Sequence, residues 1–427
     1  MQNKNSTTPI TGYQKFVIFI LAITQFTVIL DFMVMSPLGD ILMKSLGLTP
    51  SQFGIAVSAY AFSAGISGLL TAGFADKFDR KKLLLFFYIG FILGTFLCGI
   101  VNTYILLVAA RIITGLFGGV IGSISMAIVA DLFTLQQRGR VVGFLQMGFG
   151  ASQVLGIPVG LYLADKWHWH TPFWLIGAMA AIIATLIFLR LQPITQHLKV
   201  KQERNAFMHL WHTLRERDYR IGFTATALLS IGGFMMMPFG TAFAVNNLKV
   251  THEQLPLIYM VAGVSTLVFM PFIGRLSDKT SKLKIFSIAC LWVIAVALTY
   301  TQLGPTPLWM VIGFNILMMV GITGRMVPST ALVSGVPNMK DRGAFMSINA
   351  SLQQIAGGIA AAFAGLIVVQ QTQYTPLEHY DTIGYIVSAI TLISIWLMYR
   401  VNKMVSRRAK QQPALDQNFA DVPVQEI

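Results

Sequence analysis

Charged side chains are scarce in this chain. Only 11% of its 427 residues are Asp, Glu, Lys or Arg, against about 25% in an ordinary soluble protein. That shortage excludes a conventional water-soluble domain. Cysteine is nearly absent: Cys98 and Cys290 sit inside apolar stretches, with no disulfide framework or metal-ligand spacing, and read as small apolar fillers. All seven histidines lie outside those stretches, no pair of acids lies within them, and no nucleophile has a base beside it. A membrane enzyme therefore lacks its catalytic constellation. No metal and no cofactor is expected.

What is abundant is apolar sequence, 55% of the chain. Runs of 18 or more such residues recur at about 16–38, 52–74, 83–101, 104–130, 140–163, 172–190, 221–245, 255–274, 283–301, 308–333, 343–369 and 382–399. Each can cross a bilayer core roughly 30 Å thick. The first is too long for a signal peptide, and eleven follow it. The expected fold class is an all-α membrane protein of twelve transmembrane helices.

The formal charge of +14 supplies orientation and does not imply nucleic acid. Of 31 Lys and Arg, 26 lie in the N-terminus, the even-numbered connections and the C-terminal tail; the odd-numbered connections hold only Lys44, Lys166 and Lys249. Basic residues collect on the cytoplasmic side. Both termini are thus expected in the cytoplasm and the protein in a cell membrane, the inner membrane if bacterial.

The longest connection, 191–220, divides the chain into six spans over 16–190 and six over 221–400, with an N-terminal segment 1–15 and a polar, unstructured tail 401–427. The halves echo each other. "FADKFDRKK" aligns with "LSDKTSKLK", setting Asp76 and Asp278 202 residues apart, and Arg138-Gly139 recurs at Arg342-Gly343, 204 residues on. Two matches at nearly one spacing indicate a parallel internal repeat, an architecture found in transporters. The basic, amphipathic "HLWHTLRERDYR" within the connection reads as a helix on the inner surface.

Polar side chains inside the spans are unevenly spread. Spans three, six, nine and twelve hold essentially none, which suits helices facing lipid. Gln25, Asp31, Arg111, Gln146, Gln153, Asn315, Arg325, Asn349, Gln353 and Gln354 belong to the others. Such groups are costly in lipid and turn toward a bundle interior or a wet cavity. Cavity candidates are Gln25, Gln146, Gln153, Asn315, Arg325 and Gln354, with Phe32, Met35, Met235 and Met236 as an apolar lining that can repack around varied ligands. Gln146, Gly150, Gln153 and Gly160 are expected on one face of span five, and Ser347, Ser351, Gln354 and Gly358 on one face of span eleven, where small residues permit close helix packing.

"AGFADKFDRK", between spans two and three, resembles the loop signature of the major facilitator superfamily. It matches at Asp76, Lys77, Arg80 and Lys81, with Ala72 and Asp79 replacing the family's two glycines. "GRLSDKTSKL" is its second copy. Arg111 and Gly115 are similar to the family's Arg-x-x-x-Gly pattern, and "LDFMVMSPL" resembles an element of the drug-efflux and arabinose-efflux-like permeases. "GFGASQVLGIPVG" departs from the antiporter motif, which has adjacent Gly-Pro and a closing Gly-Gly. The resemblance covers about 16–400. It implies two pseudo-symmetric six-helix halves, alternating access, and a cytoplasmic gate at Asp76, Lys77, Arg80, Asp278 and Lys279, with Asp131, Arg138 and Arg342 nearby.

Asp31 is the one carboxylate deep in the spans. It lies 15 residues past Phe16, about 22 Å up a helix rising roughly 1.5 Å per residue. Arg111, seven residues into span four, falls at about 19 Å from the same face. Depth selects Arg111, not the more cytoplasmic Arg325, as its partner. A charged Asp at mid-membrane costs on the order of 2.5–3.5 kcal/mol. The expected role is proton coupling modulated by Arg111; direct binding of a cationic substrate and a purely structural ion pair remain alternatives. The functional expectation is proton-coupled efflux of small amphipathic or hydrophobic molecules by a monomer in the bilayer, with protons and substrate as its small partners. Sugar or metabolite transport is the alternative within that class, and a non-transporting receptor the alternative outside it.

Overall fold

The computed structural model describes residues 10–72, 74–199, 206–338 and 341–420. Twelve long helical elements carry the chain back and forth. In the first half they are α1 (Gly12–Val34), α2 (Pro50–Ala72), α3 (Arg80–Cys98), α4 (Tyr104–Leu132), α5 (Leu135–Ala151 continuing as Ile157–Lys166) and α6 (Thr171–Arg190). In the second they are α7 (Arg217–Phe234 continuing as Gly240–Asn246), α8 (Leu255–Lys279), α9 (Lys282–Thr301), α10 (Leu308–Val333), α11 (Arg342–Ile367) and α12 (Tyr380–Ala420). All twelve are long and apolar enough to cross a membrane. Helices satisfy their own backbone groups, which is the condition for crossing lipid. The chain is an all-α, multi-pass membrane protein. With twelve crossings its two ends fall on one face, here termed the basic face.

Local sequence sets the helix ends. Thr11 and Gln14 form a reciprocal capping box at the start of α1, satisfying two otherwise unpaired donors. The first span ends at Val34, earlier than the apolar run suggested. Pro37 disfavours a continued helix at Ser36, and a short helix, Gly39–Leu46, follows. Gly47 closes that helix in the left-handed region at φ 65°, where a glycine carries no side-chain penalty. The tail also differs from expectation: α12 continues through Ala420. Residues 421–427 lie outside the described residues.

α5 contains a π-helical turn at Ser152–Gly156, where Ile157 N–H donates to Ser152 O five residues back. Pro158 follows and has no N–H to restore the normal ladder. The extra residue rotates the outer part of α5. Gly150 therefore abuts Leu267 of α8, whereas Gly160 abuts Val34 of α1. The single small-residue face expected for span five is split in two.

Within each half, neighbouring helices approach through small residues. α2 packs on α4 and, across the halves, on α11. At the second contact Gly54 meets Ala361 and Gly365, Ser58 donates to Gly358 O at 2.8 Å, and Gly65 and Gly68 meet Ser351. At the first, a Cβ placed on Gly119 would stand 2.5 Å from Ala64 Cα, a distance backbone atoms do not tolerate. Gly119→Val is accordingly expected to destabilise the first half by about 1–3 kcal/mol, read as an earlier thermal transition in detergent. An unchanged transition would show that α2 and α4 can separate freely.

Candidate functional site

The centre of the first half is a closed ion pair. Arg111 Nη1 of α4 donates to Asp31 Oδ2 of α1 at 2.9 Å, with side chains 1% and 0% exposed. Thr95 of α3 donates to the other carboxylate oxygen at 3.2 Å. Tyr60 of α2 lies under the guanidinium, its ring centroid 4.5 Å from Arg111 Cζ. Four helices thus converge on one carboxylate. Asp31 meets Arg111, the arginine at its own depth; Thr95 and Tyr60 carry no charge and gave no comparable sequence signal.

An aromatic chain leads from this pair to the second half. Phe32 lies 5.2 Å from Tyr60 and 6.0 Å from Phe234 of α7, centroid to centroid. Arg325 of α10 stands beyond it, 4% exposed. Its guanidinium reaches Gly232 and Gly233 of α7, farther from the basic face than backbone depth implied, because helical side chains lean toward the N-terminus and α10 starts at the opposite face. Gln25 faces Gly122 of α4, and Gln153 Oε1 is buried with no partner among the described residues. Gln146 is exposed, while Gln354 and Met236 are partly buried. Asn315 turns back to Val311 O of its own helix. Met35 and Met235 are corrections to the lining set: at 0% and 2% exposure they fill the packed core, since the chain folds into the turn after α1 and the turn between the two segments of α7 at those points.

At the basic face, Arg80 donates to Asp131 Oδ2 and Ala75 O, both at 3.1 Å, and His197 Nδ1 lies 3.2 Å from the same Asp131 oxygen. Arg138 donates to Ala130 O in the last turn of α4 and to Phe133 O just past its end. Only the backbone of Asp76 is described, in a turn spanning Ala75–Lys77. Asp79, the departure from the loop signature, caps α3 and also accepts Ile194 N–H of the long connection at 3.0 Å. Lys77, Asp278, Lys279 and Arg342 are exposed. Near Arg342, the structure engages Asp341 instead, which accepts from Tyr219 at 2.8 Å and faces His209 at 3.5 Å.

A model of the Major Facilitator Superfamily matches residues 21–361, and again 222–424. The chain belongs to that superfamily. It is 22% identical over 398 residues to the uncharacterized MFS-type transporter YceJ of Bacillus subtilis, covering 92% of this chain and 97% of that one. It is 24% identical over 396 residues to a probable sugar efflux transporter of Helicobacter pylori strain P12, covering 91% and 96%. Among solved structures, the D-xylose-proton symporter superposes with a TM-score of 0.73 at 17% identity, covering 91% of this chain and 98% of the other. As a major facilitator protein, the chain is a transporter that binds a small-molecule substrate within the membrane.

This superfamily member carries a further polar cluster that the sequence reading did not single out, on the face opposite the basic one. Asp40, 1% exposed, accepts from Lys44 at 2.7 Å and from Asn246 of α7 at 2.6 Å, with His252 Nε2 at 3.1 Å. Burial would raise the Asp40 pKa, but the hydrogen bond from His252, followed by Lys44 and Asn246, outweighs it and holds the carboxyl below its usual value. Lys166, at the end of α5, reaches Glu253 at 3.1 Å. Asp40 lay just past the expected end of span one, in a connection whose helix was not anticipated.

Proposed function

We propose that this protein is a proton-coupled exporter of the drug-efflux or arabinose-efflux-like branch, working by alternating access with both termini in the cytoplasm. The observation that carries this reading is the fully buried Asp31–Arg111 pair. Protonating Asp31 removes the charge that holds Arg111, and the guanidinium then rests on Tyr60, one ring away from the Phe32–Phe234 contact between halves. Proton occupancy at Asp31 is thereby linked to how the halves meet. The polar contacts across the halves, Asp40 with Asn246 and His252 and Lys166 with Glu253, hold the halves together on the side opposite the basic face. The basic-face pairs Arg80–Asp131 and Asp341–Tyr219 act as the gate elements of each half. Sugar efflux, the activity in the name of one relative, is the second reading, favoured only by that likeness; the aromatic centre favours amphipathic substrates.

The test is substrate-driven proton movement in proteoliposomes under an imposed pH gradient, followed with a lumenal dye. Amphipathic compounds and sugars are added in turn. Wild type is expected to exchange protons for an amphipathic substrate, and Asp31→Asn to abolish that exchange. Proton flux unchanged in Asp31→Asn would reduce the pair to a structural bridge. Flux in the same direction as substrate would establish symport.

A further inference from the structure

Arg325 is the intramembrane charge left without a partner. Among the described residues no hydrogen bond or ion pair reaches it, and its Nη1 is buried with nothing to donate to. Asp31 and Arg111 neutralise each other, so the centre of the bundle holds one cation in excess. A buried charge is costly unless it is paired. A ligand able to meet that cost carries a negative charge.

The internal repeat shows where such a ligand would sit. Asp31-Phe32-Met33-Val34-Met35 in the first half corresponds to Gly233-Phe234-Met235-Met236-Met237 in the second, residue for residue at a spacing of 202. That is also the spacing of Asp76 and Asp278. Phe32 and Phe234 are therefore equivalent, and their rings meet between the halves. Each half also places an arginine on its fourth helix, Arg111 in α4 and Arg325 in α10. In the first half this arginine binds the carboxylate of Asp31. In the second, the residue standing at Asp31's position is Gly233, and a Cβ there would lie 3.4 Å from Arg325 Nη2. The second half has the phenylalanine at the repeat position and no acid beside it; its arginine, 214 residues from Arg111 and so not at the equivalent position, reaches this spot from a different level of its fourth helix. Gly233 and Phe234 are themselves only partly buried, so this spot opens toward the space between the halves.

We propose that Arg325 receives the anionic head of the substrate at the place that Asp31 occupies in the first half, and that the substrate's apolar body lies against Phe234 and Phe32. The substrate class is a singly charged amphipathic organic anion, a carboxylate or sulfonate on a planar apolar frame. A guanidinium presents two parallel N–H donors that match such a head. Entry of the apolar frame separates Phe32 from Phe234, the contact that also links the halves to Tyr60 and Arg111. A cationic substrate is disfavoured, because both oxygens of Asp31 are already engaged. The proposal deepens the transport reading and names the substrate for that site.

The test uses three probes with one ring system: naphthalene-2-sulfonate, the neutral naphthalene-2-sulfonamide, and the cation 2-naphthylmethylammonium. Equilibrium binding of labelled naphthalene-2-sulfonate to the purified protein is measured in a neutral detergent, with the other two as competitors. Wild type is expected to bind the sulfonate saturably, with neither competitor displacing it well. Arg325→Gln should weaken binding on the order of 30-fold or more, and Arg325→Lys less. Gly233→Asp should abolish binding by placing a carboxylate on Arg325, while raising the thermal transition, which separates lost binding from lost folding. No saturable binding to wild type, equal displacement by the neutral probe, or unchanged binding in Arg325→Gln or Gly233→Asp would overturn the proposal. Binding in detergent needs no gradient. Arg325-dependent binding without proton movement would support the site and count against the transport reading; proton-coupled transport of other compounds without such binding would do the reverse.

Discussion

Arg111→Leu is expected to destabilise the protein by about 3–5 kcal/mol, the effect of removing one partner from a buried ion pair. Asp31 is fully excluded from solvent, and without Arg111 its remaining described hydrogen bond is the one from Thr95. Asp31→Asn should cost less. Arg111 then keeps the ring of Tyr60 beneath it, a contact worth about 2 kcal/mol or more when desolvated, and the amide of Asn can still accept from Arg111. The double variant Asp31→Asn/Arg111→Leu should recover most of the loss, because no uncompensated carboxylate remains. Thermal or denaturant unfolding in detergent, arranged as a double-mutant cycle, measures the coupling. If the double variant is as unstable as Arg111→Leu, the penalty arises from packing around the arginine and not from the exposed need of Asp31 for a counter-charge. The asymmetry matters for function. A site that tolerates loss of the carboxylate charge better than loss of the arginine is one that can be protonated in place without collapsing.

The pairing at the heart of this prediction was legible in the sequence because a transmembrane helix converts residue number into depth. Two charges at about the same depth on neighbouring helices have few other partners. The twelve spans were legible for a similar reason: lipid imposes one rule on every crossing. What escaped the sequence is what breaks that regularity. The π turn in α5 rotates Gly160 away from Gly150. Met35 and Met235 were counted as lining because of their composition, yet each sits where its helix turns into the core. Arg325 was read at its backbone depth, whereas its long side chain carries the charge toward Gly233. Asp79 looked like damage to a loop signature and is instead a helix cap that also ties down the long connection.

The second large effect is expected at the face opposite the basic one. Asp40→Ala should release the latch between the halves. It removes the acceptor shared by Lys44, Asn246 and His252, whose groups come from the Gly39–Leu46 helix, α7 and the turn before α8. Truncating one partner of a buried, hydrogen-bonded charge pair costs about 2–5 kcal/mol. Even the lower figure multiplies the population of the opposite conformation about 30-fold. Lys44 retains Asn246 at 3.3 Å and the ring of Tyr374, and Lys166 retains Glu253, so the latch weakens without the fold being lost. A reporter is at hand because Cys98 and Cys290 are both buried: spin labels on Ser45→Cys and Gln302→Cys, exposed positions in the two halves, read closure as the distance between them at any pH. The distance should be short and narrowly distributed in the otherwise wild-type protein and lengthen clearly when Asp40→Ala is added. The same reporter gives the pH dependence. A carboxyl whose folded pKa is lowered contributes closure above its unfolded value of about 3.9, and that contribution disappears as pH falls through the lower, folded value. The latch should therefore stay shut from neutral pH down to about pH 4 and open only in stronger acid. A label distance that lengthens already between pH 7 and 5 would mean that Asp40 is not the group holding the halves together on this face.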